Sequence, residues 1–273
     1  YLRNYSKQYS NPAQLVALLK SRGLIINDEA EAEDAVRSIG YYRLSAYLYP
    51  FLTLPKENHT FKSGASFPAV QSIYEFDRRL RILVFDQIER IEIAVRSAIV
   101  NIASSELANP FWMTDPTAFA NADRFAKTMQ LIDKELQSSR EDFIQHFRAN
   151  YSDPYPPAWM IAEILPFGVL TRVYENLASN RLRKRIAQHF ALNIPVLTSW
   201  LTIVTLTRNT CCHHARMWNR TLSLRALTMN SPSRPWISSN VPQGRIFFTL
   251  CILKYLLDII RPQNTFKSDL QNL

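Results

Sequence analysis

The spacing of apolar residues along the chain predicts α-helices almost throughout. Apolar positions recur three and four residues apart between about residues 68 and 104, which predicts the longest helix. Most of its faces are apolar, so this helix is expected at the centre of a bundle. No stretch of any length alternates between apolar and polar residues. The pattern therefore predicts an all-α protein: a multi-helix bundle with a small helical N-terminal section.

Residues 1–52 are predicted to form this N-terminal section, with three short helices separated by tight turns. Asn11 and Asp28 are suited to cap the first two of them. The polar loop at 53–66 is the candidate boundary, and residues 67–262 are predicted to form the main helical domain. Three short helices are also typical of a helix-turn-helix, so a DNA-binding regulator remains an alternative.

Prolines and glycines predict where the later helices start and stop. A proline cannot donate the backbone hydrogen bond that a helix interior needs, and it favours the first helical turn. The predicted helices are 121–137, 141–150, a helix from Ala158 that kinks or breaks at Pro166 and resumes to residue 178, a helix from Pro195 to residue 220, and 245–260.

The charge balance favours a polyanionic partner. Lys and Arg number 32 against 23 Asp and Glu, which gives a net charge of +9 and a pI near 9.6. Nucleic acid, or an acidic membrane surface as the alternative, fits this balance. With only five glycines and neither a GxGxxG nor a GxxxxGK[ST] motif, the sequence argues against an α/β nucleotide-binding protein.

Cysteine usage and the lack of membrane signals favour a reduced, cytoplasmic protein. Three cysteines, two of them adjacent, do not make a disulfide framework. The longest apolar stretch, 246–260, is interrupted by Lys254 and Asp258 and is too short to span a bilayer. No signal peptide is visible, and a chain that begins with Tyr1 is expected to have its natural start upstream.

The richest cluster of reactive side chains lies between residues 208 and 220. On a helix that continued through this run, Asn209, His213, Arg216 and Arg220 would form one stripe. Arg208 and His213, five residues apart, would differ by about 140° around that helix. They converge on one target only if Arg208 lies where the helix begins or bends, or if a second chain completes the site.

Arginine with histidine suits phosphodiester cleavage without a metal ion or cofactor. Arginine binds phosphate through two parallel hydrogen bonds, and an unperturbed histidine gives or takes a proton near neutral pH. RNA supplies its own nucleophile, the 2′-hydroxyl, so the enzyme need only align it, move protons and stabilise charge. Asn209, one turn before His213, is placed to orient the imidazole.

Structural interpretations remain open beside this chemistry. The two histidines could form an ordinary hydrogen-bonded pair. Zinc binding is disfavoured, because four consecutive Cys and His residues on a helix cannot all face one ion. Charges on the long helix, among them Glu89 and Glu92, either form intrahelical ion pairs or brace Arg208 or a catalytic histidine.

A series of motifs in order gives a more specific indication than any one of them. The segments, in order, are Ile39–Phe51, Tyr74–Arg78 with Ile88–Glu92, Pro156–Met160, Phe167-Gly168, Tyr174, and the RNxxxHH run with Arg216, Trp218, Asn219 and Arg220. In this order they resemble the Abi-like abortive infection proteins of the AbiD/AbiF type. The C-terminal part of those proteins is similar to a HEPN ribonuclease domain, which is marked by Arg, four to six residues, then His.

This resemblance implies a ribonuclease toxin or phage-defence effector, without a metal or cofactor. Arg208 and His213 are the implied catalytic pair, and His214 also fits the motif, so the catalytic histidine stays undecided. HEPN nucleases often form homodimers, and a small non-coding RNA is a possible regulator. An RNA-bound scaffold without catalysis is the remaining alternative.

The densest basic run precedes the motif. It is interpreted either as a solvated helix face or as a patch that contacts RNA phosphates. The candidate RNA-binding residues are Arg181, Arg183, Lys184 and Arg185 of this run, with Arg216 and Arg220 of the motif.

Overall fold

The computed structural model of the chain describes residue 4 and residues 8–229, 232–237 and 240–273. Within these ranges the regular structure is helical, with isolated β-bridges but no strand. The prediction of an all-α multi-helix bundle is confirmed. The helices are α1 (Pro12–Ser21), α2 (Glu29–Ile39), α3 (Tyr41–Leu48), α4 (Phe67–Leu107), α5 (Ala122–Ser138), α6 (Asp142–Asn150), α7 (Ala158–Ile164), α8 (Phe167–Asn176), α9 (Asn180–His189), α10 (Ile194–Cys212), α11 (Ile246–Ile260) and α12 (Phe266–Gln271).

The chain divides into two compact units. The first comprises Tyr1–Leu80 with Leu273, and the second comprises Arg81–Asn272. The division falls within α4, so this helix contributes residues to both units, whereas the sequence placed its candidate boundary in the loop 53–66.

Side-chain caps define the first helices of the N-terminal unit. The Asn11 side chain accepts a hydrogen bond from the Gln14 backbone amide, and the Gln14 side chain accepts one from the Asn11 backbone amide, at 2.9 Å each. Asp28 accepts from the Glu31 backbone at 2.9 Å. The Glu31 carboxylate instead accepts from Gln71 of α4 at 3.3 Å. Both predicted caps are therefore present.

A buried polar contact fixes α3 against the first part of α4. The Tyr47 hydroxyl donates to Asp77 Oδ2 at 2.6 Å, and both residues are almost fully buried. Tyr74 packs edge-on against Tyr47, with ring centroids 5.4 Å apart. A buried carboxylate needs such a partner, which explains why these residue types occur together. Tyr42 is 92% exposed, so the aromatic residues of α3 divide between core and surface.

In the larger unit α10 is a core helix that packs against α8, α9 and α11. Trp200 is fully buried, and its indole Nε1 donates to the Leu227 carbonyl at 2.8 Å. The neighbouring side chains of Leu201, Ile203 and Val204 are buried as well, and together they fix α10 inside the bundle. Among the described helices none is alone long and apolar enough to cross a membrane, and only the pair α9 and α10, bent by 64°, meets the length and composition criteria together.

The predicted break at Pro166 is confirmed. α7 ends at Ile164, and α8 starts directly after Pro166. The Leu165 carbonyl, left without a helical partner, accepts a hydrogen bond from Arg96 of α4 at 3.1 Å. This contact ties the break to the central helix, one turn from Glu92.

Candidate functional site

The cluster of reactive side chains at residues 208–220 begins on α10, and the helix ends within this cluster. His213 caps the helix. The His214 amide donates to the Cys211 carbonyl at 3.0 Å. The Ala215 amide donates to the Thr210 carbonyl, also at 3.0 Å. These two bonds are those of a Schellman motif, and His214 has the left-handed φ, +54°, that this motif requires.

The predicted continuation of α10 to residue 220 is therefore wrong. The left-handed backbone at His214 turns the chain away from the helix axis. As a result Arg216 and Arg220 do not share a helical stripe with Asn209 and His213, although both belong to the same sequence motif.

The structure brings four predicted site residues to this helix end. Arg208 lies just before the last turn of α10, Asn209 lies in that turn, His213 caps the helix and His214 follows. Asn209 and both histidines are exposed, and Arg208 is partly exposed. The helix stays regular from Arg208 through Cys212 and departs from helical geometry only at His214. Arg208 and His213 therefore keep the offset around the helix that the sequence predicts, and the remaining route to a shared target is a second chain.

Glu92 of α4 is the carboxylate partner of Arg208. Its Oε1 lies 3.3 Å from the Arg208 Nε, and the Glu92 side chain is only 16% exposed against 39% for Arg208. The two facing atoms are buried and have no well-aligned hydrogen-bond partner among the described residues, so the contact is a close ion pair. It matches the interpretation in which a carboxylate of the long helix braces Arg208, while Glu89 is exposed.

The environment of Glu92 opposes its ionisation. Burial raises the pKa of Glu92 above its ordinary value, and the guanidinium groups of Arg208 and Arg96 lower it again only in part. The negative charge at this position is therefore costly, and the arginines offset some of that cost. Such a charge is typical of a position that serves a neighbouring group rather than stability alone.

A groove of about 490 Å³ opens beside Arg208 and Asn209. Its remaining lining comes from residues 166–175, at and within α8, and from 202–206 of α10. The two helices approach closely here, since a Cβ on Gly168 would lie 3.2 Å from the Thr205 methyl carbon. The Phe167-Gly168 motif thus marks the place where α8 meets α10.

A smaller groove of about 260 Å³ shares Arg172 and Glu175 with the first one. Arg124 and Lys127 of α5 also line it. Burial raises the pKa of Glu175, and Arg124 and Arg172 oppose the rise. Together the two grooves lead from Arg208 past three further basic side chains, which suits a strand of phosphates.

The basic run predicted to bind RNA lies on α9 and has intramolecular partners. Arg181 and Arg185 both form ion pairs with Glu106, the first at 3.8 Å. Arg183 donates to Asn180 at 2.7 Å and to the Glu175 carbonyl at 3.4 Å. Lys184 is exposed. The charge of this run is therefore partly offset within the protein.

The two arginines after the motif helix differ in exposure. Arg216 is half-buried, and Arg220 is exposed. The residue before Arg220, Asn219, accepts a hydrogen bond from Arg245 at 3.4 Å, and Thr221 forms an antiparallel bridge with Arg245. The chain after the motif is thereby joined to the start of α11.

The paired cysteines do not form part of a metal-binding cluster. Cys211 is buried and Cys212 half-buried, and neither forms a disulfide. In the described parts of the chain, no group of three or more His, Cys, Asp or Glu side chains is arranged to hold a metal ion.

Sequence reasoning did not identify three features of this region: Glu106, Arg172 and the close approach at Gly168. Glu106 lies at the end of α4, and its pairing with α9 links residues about 75 positions apart, which no local pattern reveals. Gly168 could have been suspected, because a glycine inside a helical pattern often marks a close contact.

The family model described as Abi-like protein matches residues 34–219, which covers α3 to α10 and the whole motif up to Asn219. Neither a curated protein nor a solved structure matches the chain significantly. Since the family model covers well over half of the sequence, the chain belongs to the Abi-like protein family.

Proposed function

We propose that this protein is a metal-independent endoribonuclease of the HEPN type that acts in abortive infection defence. The observation that carries the proposal is the end of α10, where Arg208, paired with the largely buried Glu92, precedes two exposed histidines by five and six residues. Membership of the Abi-like family supports the role in abortive infection.

In this proposal Arg208 binds the non-bridging oxygens of the scissile phosphate and stabilises the charge that develops there. The 2′-hydroxyl oxygen attacks phosphorus and its proton passes to a histidine, His213 in our assignment. The bond from phosphorus to the 5′-oxygen breaks, and this oxygen takes up a proton from a protonated histidine. The products are a 2′,3′-cyclic phosphate and a 5′-hydroxyl. Asn209 and His214 are proposed to position the imidazole and the phosphate.

The surroundings of Arg208 favour a polyanionic substrate. The two grooves carry Arg172, Arg124 and Lys127 next to the proposed reaction centre. Arg216 and Arg220 follow the motif, and the run from Arg181 to Arg185 adds charge on α9. RNA lying along these side chains would have one phosphate at Arg208.

We further propose that the active form is a homodimer in the cytoplasm. Two motif helices that face each other would place a histidine of one copy against Arg208 of the other. A small non-coding RNA is the proposed regulator, since a resistant RNA would occupy the same basic contacts without being cut. None of the three cysteines forms a disulfide, which suits a reducing compartment.

Cleavage in the presence of EDTA tests the proposal. Wild-type protein should cut RNA with EDTA present, while Arg208→Ala and His213→Ala should each reduce the rate by at least about a hundredfold. His214→Ala shows which histidine acts. Equal rates in wild type and both variants, or activity only with added metal, would contradict the proposal. RNA binding without cleavage by any of them would indicate an RNA-bound scaffold instead.

A further inference from the structure

Basic residues are concentrated in one part of the chain. Between Glu175 and Asp258 there are 11 Lys and Arg residues and no Asp or Glu. The 11 positive charges of this segment exceed the net charge of the whole chain, +9, so the remainder of the chain has more acidic than basic residues. The segment contains the Arg208–His214 site, and much of it follows the end of the match to the family model at Asn219.

Within this segment, the residues after the motif run back along α10. The Leu227 amide donates to the Ser199 hydroxyl at 2.9 Å, and the Leu227 carbonyl accepts from Trp200. Met217 and Ala226 are buried and anchor the two ends of the path. Residues 216–227 therefore start at the candidate site and return toward the N-terminal half of α10.

The start of α11 lies beside this path. Thr221 and Arg245 form a bridge, and the Leu222 amide donates to the Gly244 carbonyl at 2.9 Å. Arg220 directly precedes Thr221 and is therefore one residue from the bridge to Arg245. Phe247, two residues beyond Arg245, exposes 56% of its surface.

Three arginines on or beside this path, Arg220, Arg225 and Arg245, are without a carboxylate partner among the described residues. Arg220, Arg225 and Arg245 are exposed, and among the described residues no carboxylate lies within ion-pair distance of them. In contrast, Arg181 and Arg185 on α9 share Glu106. Uncompensated arginines next to an exposed aromatic ring are the combination by which proteins bind single-stranded nucleic acid, since arginine contacts phosphate and the ring stacks on a base.

We propose that Arg220, Arg225, Arg245 and Phe247 form a binding surface for single-stranded RNA that continues from the candidate site. The inference rests on the proposed function for its choice of RNA, and it assigns the main phosphate contacts to this surface rather than to α9. The three arginines bind phosphates and Phe247 stacks on a base.

Salt dependence of RNA binding tests the surface. The probe is a single-stranded RNA with 2′-O-methyl groups throughout, which lacks the nucleophile and stays intact. The triple variant Arg220→Gln, Arg225→Gln, Arg245→Gln should reduce the slope of log affinity against log salt concentration by about 2, since each lost contact to single-stranded nucleic acid contributes about 0.7. Phe247→Ala should weaken binding about tenfold and leave the slope unchanged.

A matched control separates the surface from total charge. Arg37→Gln, Arg78→Gln, Arg90→Gln removes the same charge from arginines that pair with carboxylates one turn away, and it should keep the wild-type slope. The triple Arg→Lys variant of the surface keeps the charge and should keep the slope as well. A wild-type slope in the surface Gln variant, or an equal loss in the control, would overturn the proposal.

The outcomes also separate this surface from the nuclease proposal. If the surface variants lose RNA affinity but the wild-type protein never cleaves RNA, the nuclease proposal is refuted and the proposed surface stands. A protein that cleaves RNA through Arg208 while the surface variant binds normally would refute the surface alone.

Discussion

At the scale of single residues, the candidate site depends on one costly contact. Glu92 is largely buried, and burial raises its pKa, yet it faces the Arg208 guanidinium at 3.3 Å. Breaking a buried ion pair by removing one partner is expensive because the other charge stays behind. Here the arginine is 39% exposed and can turn to solvent, so the loss should appear in its orientation more than in stability.

Glu92→Gln should therefore separate stability from activity. The raised pKa means that the folded protein holds this proton more tightly than the unfolded chain, so stability falls as pH rises through the pKa of the folded state. The variant lacks that loss and should be as stable as wild type or more stable at pH 7, while RNA cleavage falls at least about tenfold because Arg208 is no longer aligned.

The measurements are urea unfolding across pH and cleavage in EDTA. Glu89→Gln is the matched control, since Glu89 is an exposed glutamate on the same helix. It should cleave RNA as wild type does and change the pH dependence of unfolding only slightly, because Glu89 is the smallest of the causes that act on the pKa of Glu92. An inactive Glu89→Gln variant, or a Glu92→Gln variant with full activity, would refute the positioning role of Glu92.

His214 allows a second test at this scale, because it occupies the left-handed position that glycine usually takes. His214→Gly and His214→Ala both remove the imidazole, but only alanine keeps a Cβ. The glycine variant should be the more stable by about 1 kcal/mol, measured by urea unfolding. Equal stability would mean that the helix end rearranges when the imidazole is lost.

At the scale of helices, the contact of α8 with α10 forms the groove beside Arg208. A Cβ added at Gly168 would lie 3.2 Å from the Thr205 methyl carbon, which is closer than ordinary van der Waals contact. The Thr205 hydroxyl donates to the Leu201 carbonyl at 2.8 Å, so the side chain is not free to turn away without losing that bond. The width of the groove is therefore set by two small residues, Gly168 and Thr205.

A double-mutant cycle measures this contact. Gly168→Ala improves helix propensity but crowds Thr205, whereas Thr205→Ser removes the methyl and keeps the hydroxyl. Gly168→Ala should be more stabilising in the Thr205→Ser background than in wild type by about 0.5–1 kcal/mol. Additive effects of the two substitutions would show that the helices separate easily.

Much of this element structure could be predicted from local pattern. Apolar spacing and caps located α4 to α8 and α11 to within a few residues, because most of these helices begin at a proline or at a capping side chain. The end of α10 was missed because His214 replaces the glycine that normally signals it, and no proline follows until Pro232. From the sequence, Glu92 with Arg208 was only one of several pairings open to the charges on α4, since pairing across helices depends on which face of α4 is buried.

At the scale of the whole molecule, the proposed dimer makes a specific prediction. If each site takes Arg208 from one copy and His213 from the other, then Arg208→Ala and His213→Ala proteins are each inactive but complement each other. After dissociation and reassociation of an equal mixture, half of the molecules are mixed dimers with one intact site of two, so about a quarter of wild-type activity should return. Cleavage by the separate and the mixed proteins in EDTA measures it. No recovery, with exchange verified by differently tagged copies, would place both residues of a site in one chain.

The claim that an arginine and a histidine cut RNA by means of its own 2′-hydroxyl is tested most directly by a single atom of substrate. A labelled RNA is cut by wild-type protein in EDTA, the cleavage position is mapped, and the same RNA is prepared with a 2′-deoxynucleotide just before that bond. The account predicts a 2′,3′-cyclic phosphate product from the RNA and no cleavage at the substituted position. Cleavage of both substrates at that bond, or a requirement for added metal, would contradict it.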